Sequence, residues 1–322
     1  MTTDTTTMMR AVVFKGTRKV TLEDRPIPKI QDAGDIIVKV TYTALCGRWC
    51  GSELHVFRGH QPSPIDFIMG HEFTGTVHEV GDAVKSVKKG DHMVRVPLAD
   101  GTVVKAPEGL KDQALVMMAD IFPTGFFAAS NGFKELSKEQ ISEATVAVIG
   151  CGPVGLCAVI AAANFNPKNL FAIDSIPSRL ELAKSLGAEP LNFQTDREAL
   201  DARIKEVTDG RGADVVLEVV GLSPALKLGY DLLRPWGIMS SVGVHNAEIP
   251  WSGNQAYGKN LRVQMGRCPV RSIFPQALEL LKQKQDQLGF MADKIMPLSQ
   301  AVEGYDLFDN MKVQKVIFEA QK

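Results

Sequence analysis

The sequence predicts an α/β protein in which a doubly wound parallel sheet adjoins a second, β-rich domain. Three observations carry this reading. Beyond Asp120, short apolar runs alternate with helical segments, the rhythm of a parallel sheet covered on both faces. Within that region a glycine triplet stands between a strand and a helix, where a nucleotide phosphate is held in such sheets. Before Asp120, short β-like runs are punctuated by Gly and Pro, the pattern of a compact β-rich domain.

The elements follow in chain order. "MTTDTTTMMR" lacks the apolar segment of a signal peptide and reads as a frayed tail. "RAVVFKG", "KVTLED", "DIIVKVTYTAL", "FTGTVHEVG", "DHMVRV" and "TVVKAP" read as strands. "TVAVIG", "NLFAID", "ADVVLEVVG" and "GIMSSVGV" are the strands of the parallel sheet, with helices at "SRLELAKSLGA" and "PALKLGYDLL". The apolar run from Val146 to Phe165 approaches membrane length, but "GCGPVG" interrupts it, so it reads as a buried strand turning into a buried helix. "NLRVQMG" (260–266) reads as a sheet edge that pairs across a two-fold axis, which makes a homo-oligomer the expectation. A helix at "PQALELLKQ" and a last strand at "QKVIFEA" complete the chain. The expected division is residues 1–121, 122–266 and 267–322.

Composition narrows the function. The 322 residues suffice for two cores, and 45% hydrophobic with 23% charged content is ordinary for a soluble globular protein. A formal net charge of −1 gives no electrostatic case for nucleic acid or for an anionic membrane surface. The five cysteines follow no disulfide framework spacing, which suits a reducing cytoplasm.

In "VAVIGCGPVGLCAVIAA" the glycines have separate tasks. Gly150 allows the tight turn, Gly152 lets backbone approach a pyrophosphate, and Gly155 lets helix and sheet pack closely. Pro153 and Val154 open the helix, whose N-terminus offers unpaired N–H groups and a positive dipole end. The next strand ends in Asp174, placed to accept hydrogen bonds from the adenosine ribose and to repel a 2′-phosphate, so NAD is expected over NADP.

A second set of residues could hold a metal. Cys50, His71 and Asp120 offer a thiolate, an imidazole and a carboxylate, and three protein ligands with an open fourth position mark catalytic zinc. Taken singly, each has a plainer reading: a small core cysteine, a satisfied histidine, and an aspartate capping the helix that starts near Thr124. The stretch "LCGRWCGSELH" also contains Cys-Gly twice, so Cys46 competes with Cys50.

The ordered motifs "CGSELH", "GHE", "DIFPTG", "GCGPVG" and "GRGADVVLEVVG" resemble the zinc-dependent alcohol dehydrogenases of the medium-chain dehydrogenase/reductase superfamily, from about Arg10 to the end. The resemblance implies a GroES-like catalytic domain formed by both chain ends around a central Rossmann domain. It implies one catalytic zinc on Cys50 (or Cys46), His71 and Asp120, the carboxylate ligand resembling the formaldehyde-dehydrogenase-like branch. Glu72 would sit beside the metal, and Ser52 and His55 match the family's proton relay. Thr124 would line the nicotinamide site, Val242 would meet the carboxamide, Arg179 would join Asp174 at the cofactor, and Lys315 would contact the pyrophosphate. The implied reaction moves hydride from a small alcohol or aldehyde hydrate to NAD. Zinc polarises the alcohol oxygen, and the proton leaves through Ser52 and the cofactor ribose to His55.

The sequence departs from the family in two places. The four-cysteine lobe that binds a structural zinc is missing where "GDHMV" runs straight into "RVPLADGTVVKAPEGL", so one zinc is expected, with a strand edge or apolar surface exposed near Val94 and Arg95 and poor stability as the result. The spacing from His71 favours Cys50, whereas the spacing from "VKVTYTAL" favours Cys46; the relay geometry tips the expectation to Cys50. The competing readings are a metal-free, quinone-reductase-like reductase and a non-catalytic nucleotide-binding relative.

Overall fold

The computed structural model describes residues 7–46, 52–95, 103–245 and 247–321. The chain divides into two compact units, Met1–Asp120 with Leu281–Lys322, and Ile121–Leu280. The first changeover falls one residue before the expected boundary. The second falls at 280/281 and not at 266/267, inside the helix Val270–Lys284, because that helix belongs in part to each unit.

In the first unit a six-stranded sheet has the order Ile295–Pro297, Ile317–Glu319, Ile36–Ala44, Glu72–Val80, His92–Arg95 and Val103–Lys105. The C-terminal strand Ile317–Glu319 lies antiparallel to Ile36–Ala44, so both ends of the chain build one sheet. A separate hairpin, Met8–Gly16 with Lys19–Pro26, adds Val12, Phe14 and Val20 to the core. Leu54 and Phe57, one helical turn apart in the short helix Ser52–Phe57, bury against that core, with the Phe57 ring 5.1 Å from Tyr305.

One expectation fails here. His92–Arg95 is paired on both sides, with Glu72–Val80 and with Val103–Lys105, and Met93 and Val94 are fully buried. The short strand therefore leaves no open edge at Val94.

The second unit holds a six-stranded, all-parallel sheet. Its order is Arg262–Met265, Leu233–Ser241, Ala213–Glu218, Thr145–Ile149, Asn169–Asp174 and Glu189–Asn192. The first strand in sequence, Thr145–Ile149, lies in the middle, and successive strands run outward first on one side and then on the other. That reversal is the switch point at which doubly wound sheets bind ligands, outside the carboxyl ends of the strands. Every residue of Thr145–Ile149 is buried, as its unbroken apolar run requires. Arg262–Met265 is an edge of the sheet. Among the described residues no helix is long and apolar enough to cross a membrane.

Candidate metal centre and dinucleotide turn

Register assembles the first constellation. Ala44 pairs with Glu72 and with Ile317, so residues 45–46, 71–72 and 315–316 meet at one end of three adjacent strands. Asp120 follows the buried turn Val116–Ala119. The result is a group of ligand atoms from Cys46, His71, Glu72 and Asp120, all within 4.8 Å of one another. Cys46 and Glu72 are fully buried, and His71 and Asp120 partly so. Cys46 Sγ lies 2.7 Å from Asp120 Oδ2, and Lys315 Nζ donates to Glu72 Oε2 at 2.5 Å.

These donors fit a dication. A thiol and two carboxyl groups crowd one imidazole, with the Lys315 ammonium as the nearby cation. Burial and the neighbouring Glu72 charge push the Asp120 carboxyl above its ordinary range. Glu72 Oε1 is buried with no hydrogen-bond partner among the described residues. A thiol, an imidazole and carboxylate oxygens within one ion's reach match the Cys, His and Asp/Glu ligands that zinc takes.

Cys50 lies outside the described residues, and the cysteine that the structure brings to the cluster is its competitor, Cys46. Ser52 opens the short helix and His55 lies within it, its ring 5.7 Å from that of His60. Lys315 calls for a correction. The resemblance implied a pyrophosphate contact, but the side chain is fully buried and its ammonium pairs with Glu72, since a buried lysine stays charged only beside a carboxylate. Glu53 was missed in the sequence. It is 4% exposed, accepts from the Tyr305 hydroxyl at 2.6 Å and from the Cys46 N–H at 3.2 Å, and burial raises its carboxyl. Its one available signal was an acid between the apolar positions of "SELHVF".

The second constellation lies at the C-terminal ends of the parallel strands. Gly150 has φ +96°, a conformation that glycine adopts without strain. A Cβ on Gly155 would lie 1.8 Å from the Gly150 carbonyl oxygen, so only glycine lets the helix Pro153–Asn164 start so close to the strand. At Gly152 a Cβ would meet nothing within 4 Å, leaving open space in front of the helix N-terminus where a phosphate would lie. Val154 is buried in the first turn of that helix. Asp174 Oδ2 accepts the Cys151 N–H at 2.7 Å, and Oδ1 accepts the N–H groups of Ser175 and Ile176 at 2.7 and 3.0 Å. Arg179 Nη1 stands 3.8 Å from the same carboxylate. Thr124 is buried within the helix Ile121–Phe133, and the Val242 N–H donates to the Glu218 carbonyl.

Comparison with known proteins agrees with this architecture. Residues 32–135 match the alcohol dehydrogenase GroES-like domain, and residues 153–283 match the zinc-binding dehydrogenase family. A zinc-type alcohol dehydrogenase B of Aspergillus flavus is 63% identical over 352 positions, which take in 97% of this chain and 81% of the relative. A medium chain reductase/dehydrogenase of Acremonium sp is 46% identical over 78% of this chain and 99% of the relative. Among solved structures, the alcohol dehydrogenase TADH from Thermus sp. ATN1 superimposes with a TM-score of 0.87 at 30% identity, over 97% of this chain and 99% of that chain. The Aspergillus alignment has more positions than the 322 residues of this chain, so the relative carries segments that are lacking here. The chain belongs to the zinc-dependent alcohol dehydrogenases of the medium-chain dehydrogenase/reductase superfamily, enzymes that move hydride between an alcohol and a nicotinamide dinucleotide.

Proposed function

We propose that the protein oxidises a small alcohol or aldehyde hydrate with NAD, using a single zinc held by Cys46, His71 and Asp120. The observation that carries the reading is the convergence of these ligand atoms, with those of Glu72, within 4.8 Å. When bound there, zinc supplies Lewis acidity toward an alcohol oxygen. Glu72, fixed by Lys315, stands beside the ligands and sets the charge around them. Glu53 holds the Cys46 backbone and so orients the thiol. Ser52 and His55 are assigned to proton transfer.

Gly150, Gly152 and Gly155 with the helix at Pro153 are assigned to the pyrophosphate, and Asp174 with Arg179 to the adenosine ribose. Asp174 has three N–H partners, and a carboxylate has about four lone-pair positions, so one remains for a ribose hydroxyl. Thr124 and Val242 are assigned to the nicotinamide side. The sheet edge Arg262–Met265 is assigned to a two-fold contact between copies of the chain. The convergence of ligands weighs against a metal-free reductase.

Elemental analysis of the purified protein, together with turnover of a panel of primary and secondary alcohols with NAD and NADP, tests the assignment. One zinc per chain and a preference for NAD are expected. Two zinc ions per chain, or a preference for NADP, would overturn the respective part.

A further inference from the structure

The apolar run "VVLEVVG" has an acid in its middle, and the zinc and phosphate assignments leave it unused. Glu218 ends the strand Ala213–Glu218 and is fully buried. Its Oε1 accepts the N–H groups of Val220 and Gly221, each at 2.7 Å. Its Oε2 accepts the Ser241 hydroxyl at 2.6 Å and lies 2.9 Å from His245 Nε2. Ser241 Oγ and His245 Nε2 are themselves 2.9 Å apart. An ionised carboxylate only accepts, so the pairing assigns the proton of this imidazole to Nε2.

The arrangement is not that of a nucleophilic triad. Hydroxyl and carboxylate meet the same ring nitrogen, whereas a triad uses both, and Ser241 is 1% exposed. What the cluster holds is backbone. Val242 N–H donates to the Glu218 carbonyl at 3.0 Å, and a Cβ on Gly243 would lie 2.1 Å from Gly221 N, so the segments after two neighbouring strands touch main chain to main chain. The bracing reaches the phosphate turn, because Val219 N–H donates to the Ile149 carbonyl at 3.1 Å.

Strand order says what these segments face. The switch point lies between Thr145–Ile149 and Ala213–Glu218. Asp174 and Asn169–Asp174 are on one side of it, and a dinucleotide whose adenosine ribose is held there crosses to the ends of Ala213–Glu218 and Leu233–Ser241. We propose that His245 is a positioning residue for the nicotinamide half of the cofactor: through Glu218 and Ser241 it fixes residues 242–245 against 219–221. The inference rests on the dinucleotide reading above.

The test is titration of NADH by its fluorescence, and of ADP-ribose by calorimetry, against the unaltered protein and the variants His245→Ala, His245→Gln and Ser241→Ala. His245→Ala should weaken NADH about tenfold, the size of one lost charge-assisted hydrogen bond, and ADP-ribose less than about twofold, because the latter lacks the nicotinamide. His245→Gln places an amide N–H at similar reach and should recover most of the loss. In turnover, KM for NAD should rise with the binding loss while kcat changes less than about threefold. Equal weakening of NADH and ADP-ribose would make the role merely structural, and unchanged NADH affinity in His245→Ala would remove it. Should that variant fail to fold, Ser241→Ala decides: a loss of about two- to fivefold for NADH supports the proposal, and none overturns it. An unaltered protein that binds neither ligand would remove the dinucleotide reading itself, before any variant is measured.

Discussion

The dinucleotide turn and the ligand cluster are both polar constellations at strand ends, yet they are put together in opposite ways. The turn is built from residues 150–179, close in sequence, and much of its chemistry is main chain: a glycine carbonyl 1.8 Å from where a Cβ would be, and backbone N–H groups bound by Asp174. The cluster draws Cys46, His71, Glu72, Asp120 and Lys315 together from across a whole unit, and its chemistry is entirely side chain. Substitutions should therefore abolish function at the cluster and adjust it at the turn.

The largest effect belongs to the cluster. Asp120→Ala should lose zinc and reduce turnover on the order of a thousandfold or more, several kcal/mol of barrier, while NADH affinity stays near that of the unaltered protein. Zinc content, steady-state rates and NADH fluorescence check it together, and a variant that keeps its zinc would break the contrast.

At the turn, Gly155→Ala should destabilise the protein by about 3 kcal/mol, because the new methyl group meets the carbonyl of Gly150, a residue whose N–H is bonded to Ile173 of the neighbouring strand. Urea unfolding measures this, and an unchanged midpoint would mean that the turn yields easily. Asp174→Ala should narrow the preference for NAD over NADP by about 1–3 kcal/mol, one charge-assisted hydrogen bond, with zinc content unaltered. It should also lower Tm, since three backbone N–H groups lose their acceptor.

The smallest effect lies away from both sites. Lys15, with Thr21 and Arg25, holds the Glu23 carboxyl down to about 2. A lowered carboxyl contributes stability above its unfolded value of about 4.3 and loses it as pH falls toward the folded value. Glu23→Gln should therefore flatten the fall of Tm between about pH 4.3 and 2 and leave it alone near neutrality. An unchanged acid slope would remove the pairing.

The same contrast explains what the sequence made legible. "VAVIGCGPVG" followed by "NLFAID" specifies a strand, a turn, a helix and an acid within one stretch, so the parallel sheet and its phosphate turn were readable. Glu189–Asn192 and the helix Arg197–Glu206 were not singled out, because a four-residue strand at a sheet edge shows little apolar pattern and the helix is mostly polar. The cluster was readable by residue type and not by neighbourhood. Lys315 was placed wrongly because nothing in "MKVQKVIF" shows that register sets its ammonium against Glu72. Glu53 and Glu218 are acids inside apolar runs, and such a pattern signals that buried donors surround them without naming which.

The central claim is the identity of the thiol. Zinc content of purified Cys46→Ala and Cys50→Ala, measured beside the unaltered protein, tests it directly. The account predicts one zinc per chain in the unaltered protein and in Cys50→Ala, and none in Cys46→Ala, because among the described residues Cys46 is the cysteine found within 4.8 Å of His71 and Asp120. Zinc retained in Cys46→Ala and lost in Cys50→Ala would contradict it.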